Sequence, residues 1–488
     1  MANSGQAFDT ALQKAVHLHV SGYVDQAIGL YDTLLDEHPD QPDLWHLLGV
    51  AAHQKNDNSL AIQLITTALS IKNDVADYHN NLGMALRGLG KDKAAEQSFR
   101  SAIRLNPQHP KALGNLASAC RHAGDTAAAL DYARQAAIIT RSDPEAYNNL
   151  GNAEKDAGLI GDSLASYQRA IELGPDFALA HWNLSLALLS AGRFDEGFRE
   201  MRWRWRWPKF PGRRPSFDQP EWTGEDLKGR TLLLYPEQGL GDMLFMLRFA
   251  PGPKSNIGRV ILELPEALIP LAEENNLADE ILRSGKNRPP FDVHAPLMDI
   301  PRLCELRGPD LFRPTPYIKV ASHRHVAWQN QLSHYAGLKF GLNWSGNPTS
   351  PVEKRRRLPV DQLMALAEDD NIMWFSLQKG QTPASSLPTE FPIIDTGPAS
   401  LEDTAGMISA LDLIITSDTA VAHLAGALGK PVWVLLHHDP DWRWSNGETT
   451  PWYPSARLFR QTSPGDWTAV IAAVSANLNQ RIRALTDQ

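Results

Sequence analysis

Two turns and one loop in the C-terminal part of the chain carry residue types that could manage an anion and a proton. The first turn is Ser417-Asp418-Thr419-Ala420, with His423 one helical turn further on. Before it, Leu411–Thr416 is apolar and β-branched, and after it Pro431–Leu436 is the same, as for strands buried on both faces. Between them, Thr419–Leu428 has apolar residues at helical spacing and stops at Gly429. The spacing predicts strand, turn, helix, strand, a βαβ unit of a parallel sheet. A turn at a strand's carboxyl end presents free N–H groups and the positive end of a helix dipole, which suits a phosphate. The same Ser, Asp and Thr would also serve simply as helix caps.

The second turn is Gly239-Leu240-Gly241-Asp242, after the apolar run Thr231–Tyr235. Its glycines allow a tight strand-to-helix turn and Asp242 falls at the helix start. The third glycine of a dinucleotide fingerprint is absent. The loop is Ser345–Arg357, with Lys354, Arg355, Arg356 and Arg357, and Lys379 follows the strand candidate Ile372–Leu377. Cations after strand ends, near the Asp418–Ala420 turn, favour anion binding over a solvated charge run. His294, in Phe291–Pro296, is a second candidate base beside Asp242, with a core or loop role as its alternative.

These stretches require two α/β halves. The first, 229–335, has strand candidates at Thr231–Tyr235, Arg259–Leu264 and Phe291–Ala295, and helices at Glu266–Glu274 and Ala321–Tyr335. The second, 336–486, has strands at Lys339–Trp344, Ile372–Leu377, Pro392–Asp395, Leu411–Thr416 and Pro431–Leu436. Its helices are expected at Val360–Ala367, Leu401–Leu411 and Thr419–Leu428, and a last helix, Asp466–Ala484, is long enough to reach back to the first half. Two open sheets facing each other make a cleft, the usual place for a ligand.

The N-terminal part is a repeat array. A period of 34 aligns registers from Phe8, Pro42, Ala76, Pro110, Pro144 and Ala178 without insertion. One column is Ala15, Gly49, Gly83, Ala117, Gly151 and Ser185, and another is Ala27, Ala61, Ala95, Ala129, Ser163 and Gly197, all small. Small residues at fixed places let antiparallel helices approach closely. The pattern resembles the tetratricopeptide repeat, with about six units over 8–207. A further column holds Asn81, Asn115, Asn149 and Asn183, an amide ladder that could pair with an extended peptide backbone or serve the array itself. Met201–Trp207, MRWRWRW, reads as a capping helix whose Trp faces pack on the next domain, and 208–228, with Pro208, Pro211, Pro215 and Pro220, as a stiff linker.

Composition sets outer bounds. At 488 residues the chain is too long for one core, and a formal charge of −9 argues against a nucleic-acid partner. Cys120 and Cys304 stand far apart, which gives neither a disulfide framework nor a cysteine zinc site. The start, MANSGQAFDT, lacks a signal-peptide pattern, and no apolar run reaches membrane-span length, so a soluble cytoplasmic protein is expected.

Residues 229–486 resemble the heptosyltransferase-like branch of the GT-B glycosyltransferases. The motifs are GLGDML (Gly239–Leu244), WSGN (Trp344–Asn347), FSLQKG (Phe375–Gly380) and DLIITSDTAVAHLAGALGKPVWVLL (Asp412–Leu436). The family usually has Gly where this chain has Ala420. The whole chain is similar to bacterial tetratricopeptide glycosyltransferases that modify proteins, flagellin among them, and in plan to O-GlcNAc transferase, whose repeats carry a similar Asn ladder. The resemblance implies an α-solenoid followed by a GT-B domain of two Rossmann-like halves. It implies an inverting, metal-independent transfer from a nucleotide sugar to a protein hydroxyl (Ser/Thr), with no cofactor beyond the donor. Asp242 would be the base and His294 its reserve. Gly241, Asn343, Ser345, Asn347, Arg356, Gln378, Lys379, Asp418, Thr419, Ala420 and His423 would hold the donor, with Lys379 placed there by its position after a strand. Asn81, Asn115, Asn149 and Asn183 would hold the acceptor. Transfer to a lipopolysaccharide or polysaccharide acceptor, and a non-catalytic scaffold, are the alternatives.

Overall fold

The computed structural model describes residues 2–212, 214–251, 258–312, 315–350, 352–367, 369, 371–379 and 386–486. Gly380, the end of the FSLQKG motif, lies outside them. The chain divides into two compact units, Met1–Leu184 and Ser185–Gln488.

The first unit is built of antiparallel helix pairs, beginning with Ala2–Val20 and Val24–Glu37 and repeating through Pro144–Asp156 and Ile160–Leu173. Size complementarity explains the small columns. A methyl on Gly49 would lie 2.5 Å from Ile65, one on Gly83 2.5 Å from Phe99, and one on Gly151 2.7 Å from Tyr167. Where the facing residue is itself small, Ala133, the column carries Ala117 instead of glycine, and both are buried. The glycines thus face large side chains and Ala117 faces a small one. The turn between paired helices takes a left-handed residue, Gly124 at φ 83° for instance, and in one repeat Asn56 at φ 63°.

The second unit holds two parallel sheets. Strands β1 (Thr231–Tyr235), β2 (Arg259–Leu264), β3 (Glu280–Arg283) and β4 (Val293–Pro296) form the first, in order β3-β2-β1-β4. Strands β5 (Leu338–Asn343), β6 (Ile372–Ser376), β7 (Ile393–Ile394), β8 (Leu413–Ser417), β9 (Val432–Leu436) and β10 (Ala456–Arg460) form the second, in order β10-β9-β8-β5-β6-β7. All pairings are parallel, and β8 and β9 are buried along their whole length. Two parallel sheets of this kind accord with the GT-B plan.

Two expectations are corrected, the last helix and the MRWRWRW stretch. The last helix, Thr468–Thr486, packs on the second half: Trp467, Val470, Ile471, Val474 and Leu478 join a core with Leu363, Trp374 and Phe459. Within the stretch 208–228, Trp222 is buried and its N–H donates to the His294 carbonyl at 2.8 Å. In MRWRWRW the anchor is a charge. Helix Phe194–Met201 continues into a 3₁₀ turn, Arg202–Arg206, and Arg204 is wholly buried there while Trp203, Trp205 and Trp207 are only half-buried. Its guanidinium donates to both oxygens of Glu237, at 2.6 and 2.9 Å, and to Asp299 at 2.7 Å. Glu237 follows β1 and Asp299 follows β4, so one cation ties the carboxyl ends of two adjacent strands to the preceding helix.

Removing one partner of a buried ion pair strands the others and typically costs about 3–5 kcal/mol. Arg204→Met is therefore expected to destabilise the second unit by about that amount. Urea unfolding followed by tryptophan fluorescence measures it, and a change below ~1 kcal/mol would show that Glu237 and Asp299 are satisfied without the guanidinium.

Candidate functional site

A cavity of about 890 Å³ opens between the two halves of the second unit. Its wall brings together Gly241, Asp242, Asn343, Ser345, Asn347, Arg356, Lys379, Asp418, Thr419, Ala420 and His423, from motifs far apart in the sequence. What joins them is a close helix crossing. The short helix Leu240–Met246 meets Ala420–Ala427, and a methyl on Gly241 would stand 2.9 Å from His423 Cδ2 and 3.6 Å from the Ala420 Cα. Gly241 thus supplies the clearance at this crossing.

Asp242 sits at the third residue of its helix. Its Oδ2 accepts from the Gly239 N–H at 3.2 Å, and its Oδ1 lies 3.1 Å from Arg443 Nη2. About 29% of the side chain is open, and that opening is the cavity. Burial raises its pKa above the usual carboxylate value, Asp441 adds to this, and Arg443 opposes it. A carboxylate with a raised pKa and one face open is suited to accept a proton.

At the opposite wall the helix Ala420–Ala427 has no side-chain cap. The Thr419 hydroxyl donates instead to Asn343 Oδ1 at 2.9 Å, so the capping role open to this turn is not realised. Thr419, Ala420 and Val421 line the cavity at the positive end of the helix dipole. His423 is held by Tyr453, with Nδ1 3.0 Å from the hydroxyl, and stacks on Trp444 at 5.0 Å. Burial first, then the charges of Arg443, Arg248 and Arg356, hold its pKa well below the usual value, so the imidazole is neutral. It can hydrogen-bond a phosphate but cannot offer it a charge.

Several predicted contacts prove to hold the loops. The Gln378 Oε1 accepts from the Asn343 amide at 3.0 Å and from the N–H groups of Trp344 and Ser345 at 3.3 and 3.1 Å, and Gln378 does not line the cavity. Asn343 is itself saturated between Gln378, Thr416 and Thr419. Asn347 caps its own loop through Thr349. Arg356 is tied to Glu353 at 2.8 Å and to the Asp418 carbonyl at 2.9 Å, so it braces the Asp418–Ala420 turn. Lys379 donates to the Ser400 carbonyl at 2.8 Å, and burial lowers its pKa. Arg355, exposed and without a side-chain partner among the described residues, lines the cavity with donors to spare. The Ser345 hydroxyl is buried at the wall with no partner among the described residues, an orphan that a ligand oxygen would satisfy.

His294 is not brought to the cavity. It lies in β4, packed on Phe217 at 4.4 Å and near Tyr235, and burial lowers its pKa. Sequence reasoning missed Arg443, Asp441 and His437, which follow β9 at the same sheet edge. The rule that placed Lys379, a polar residue after a strand end, applies equally to His437–Arg443. His437 is a buried neutral imidazole on the wall, pushed down to about 4 by burial and by Arg355.

The Asn ladder lies in the first unit, and its amides are largely spent there. Asn81 bonds His46 at 2.8 Å, Asn115 donates to Asn80 at 2.9 Å, and Asn183 donates to Asn148 at 2.8 Å. Each reaches back to the preceding repeat. For Asn149 the corresponding residue is Gly114, which has no side chain, and its amide nitrogen lies 3.7 Å from where a methyl of Gly114 would be.

Comparison with known proteins follows this division. Residues 13–76, 80–146 and 148–200 match the tetratricopeptide repeat, and residues 372–477 match glycosyltransferase family 9 (heptosyltransferase). Protein FlbA of Caulobacter vibrioides is 25% identical over 338 residues, covering 62% of this chain and 55% of FlbA. The chain thus spans about half the length of that relative. Among solved structures, PilF of Pseudomonas aeruginosa shares 18% identity, covering 42% of this chain and 94% of PilF, with a TM-score of 0.38. A thermophilic tetratricopeptide-repeat protein of Thermus thermophilus shares 21% identity, covering 37% and 99% respectively, with a TM-score of 0.34. Among the described residues no helix is long and apolar enough to cross a membrane.

Asp418 gives a prediction that needs no ligand. Burial first, and Asp441 second, push its carboxyl up to about 7, against Arg356 and Arg443. An unfolded Asp titrates near ~3.9, so the native state holds this proton more tightly, and stability is lost as pH rises from there to about 7. Asp418→Asn mimics the protonated form. Its gain in melting temperature over the natural chain should be small at pH 5 and larger at pH 7.5. An equal difference at both pH values would mean that the carboxyl titrates normally.

Proposed function

We propose that this chain, a tetratricopeptide array followed by a glycosyltransferase family 9 (heptosyltransferase) domain, is an inverting enzyme. It moves a sugar from a nucleotide sugar to a hydroxyl of a protein acceptor, Ser or Thr, and the repeats recruit that acceptor. One observation carries the enzymatic reading: Asp242 and the uncapped N-terminus of Ala420–Ala427 line the same cavity.

The step divides between them. The acceptor oxygen attacks the anomeric carbon from the face opposite the diphosphate, and its proton passes to Asp242. The new C–O bond forms as the bond to phosphate breaks, and the electron pair leaves on the diphosphate. The first-turn N–H groups, Arg355 and Lys379 meet that charge, and preorganised donors of this kind stabilise it best where charge develops. Ser345 and neutral His423 add hydrogen bonds.

A panel of nucleotide sugars tested for thermal stabilisation identifies the donor, since a ligand at 100 times its Kd adds ~2.7 kcal/mol to the native state. With that donor, Asp242→Asn is expected to fold and bind normally and to lose ~10²–10⁴-fold in transfer rate. Near-normal turnover by the folded variant would remove Asp242 from the role of base.

The family's name favours a second acceptor class, a glycan such as a lipopolysaccharide core. The fused repeats support the protein reading, although most of the ladder amides already have partners. Labelled donor incubated with the full chain and a lysate of the source cells separates the two. Label in a protease-sensitive fraction is expected, and label confined to protease-resistant glycan or lipid would favour the second class. Replacing Asn81, Asn115, Asn149 and Asn183 together with Ala should raise KM for a protein acceptor several-fold and leave donor hydrolysis by water unchanged. A uniform loss of thermal stability with no change in KM would make the ladder purely structural.

A further inference from the structure

The proposed step makes no use of Arg443, yet this is the most tightly held charge at the cavity. It lies in the turn Trp442–Trp444 after β9, on the second half, and its side chain is 3% exposed. Its Nη2 reaches Asp242 on the first half, and its Nη1 lies 2.8 Å from Asp441 Oδ1. Phe245 and Trp442 lie 4.7 and 4.5 Å from the guanidinium carbon, so two aromatic faces and two carboxylates fix its plane. The groups facing Asp242 come from its own turn after β1, with the Gly239 N–H and Glu237, and from the turn after β9, with Arg443 and Asp441, while His423 of Ala420–Ala427 stands against the neighbouring Gly241. Glu237 and Asp441 are acidic and His423 is neutral, so Arg443 supplies the positive charge in this set.

We propose that Arg443 is the positioning residue for Asp242: it reaches across the cleft, orients the carboxylate and supplies the counter-charge that keeps it ionised, so that the base is assembled from both halves. This rests on the reading of Asp242 as the base. Oδ2 is fixed by the Gly239 N–H and Oδ1 by Arg443, which leaves the remaining lone pairs for the acceptor proton. Without the guanidinium, burial and the repulsion of Asp441 favour the neutral carboxyl, which cannot take up a proton.

The test uses the full chain with Arg443→Met, Arg443→Lys, and each combined with Asp242→Asn. Infrared difference titration, each variant minus its Asp242→Asn partner, reads the carbonyl stretch of one protonated carboxyl and needs no substrate. In Arg443→Met the Asp242 signal should titrate about 1–3 pH units higher than in the natural chain, the range by which a nearby opposite charge shifts a carboxylate. In Arg443→Lys, which keeps the charge and loses the fork, it should stay near the natural position. With the donor found by the nucleotide-sugar panel, the acid limb of kcat/KM should move with the infrared midpoint. An unchanged Asp242 titration in Arg443→Met would overturn the proposal, as would a lower rate with an unmoved acid limb. Should Arg443→Met not fold, a limb in Arg443→Lys displaced as far as about 1–3 units would equally overturn it, since the charge is retained. Full activity in Asp242→Asn would instead overturn the base assignment and leave the infrared result standing.

Discussion

The geometry of the cavity depends on one contact in which a side chain is missing. Where Leu240–Met246 crosses Ala420–Ala427, Gly241 stands against His423 and Ala420 with no room for a methyl. The next residue, Asp242, lines the same cavity as the Asp418–Ala420 turn, and Phe245, one helical turn on, packs in a cluster with Trp442, Trp452 and Tyr453. That cluster encloses Arg248, buried with four aromatic rings within 5.4 Å of its guanidinium and no carboxylate partner among the described residues. Burial first, and then Arg443, Arg248 and Arg356, hold the His423 imidazole neutral. The wall is therefore a field of braced cations and oriented dipoles rather than a row of free charges.

Much of this was legible in the sequence, because the relevant signals are local. Apolar runs fixed β1 and β2 at their observed ends, and the 34-residue period fixed the helix pairs. The misses have physical causes. β3, EILR, and β10, ARLFR, carry charges on half-buried edges and so lack the continuous apolar run of a central strand. The basic loop was read for its charge, but Arg356 is consumed by Glu353 and a backbone carbonyl, and that depends on a fold of the loop that composition does not encode. Arg443 and Asp242 are 201 positions apart, beyond the reach of any periodicity.

The array teaches the same lesson from the other side. Four asparagines in one column invite a reading outward, toward a bound peptide. Three of their amides turn inward to the repeat before, each to the same partner position. Gly114 breaks that regularity and leaves Asn149 as the amide of the ladder without such a partner.

Arg204 sets where this chain can be cut or recombined. By its repeat period it belongs to the sixth unit, but its counter-ions follow β1 and β4. A fragment beginning at Thr231 would inherit Glu237 and Asp299 without their cation, and would enter folding with two carboxylates destined for burial and no neutraliser. Exchange of repeats between chains of this architecture is correspondingly confined to residues before Ser185, and a graft of the catalytic unit onto another array must bring its own last half-repeat with it.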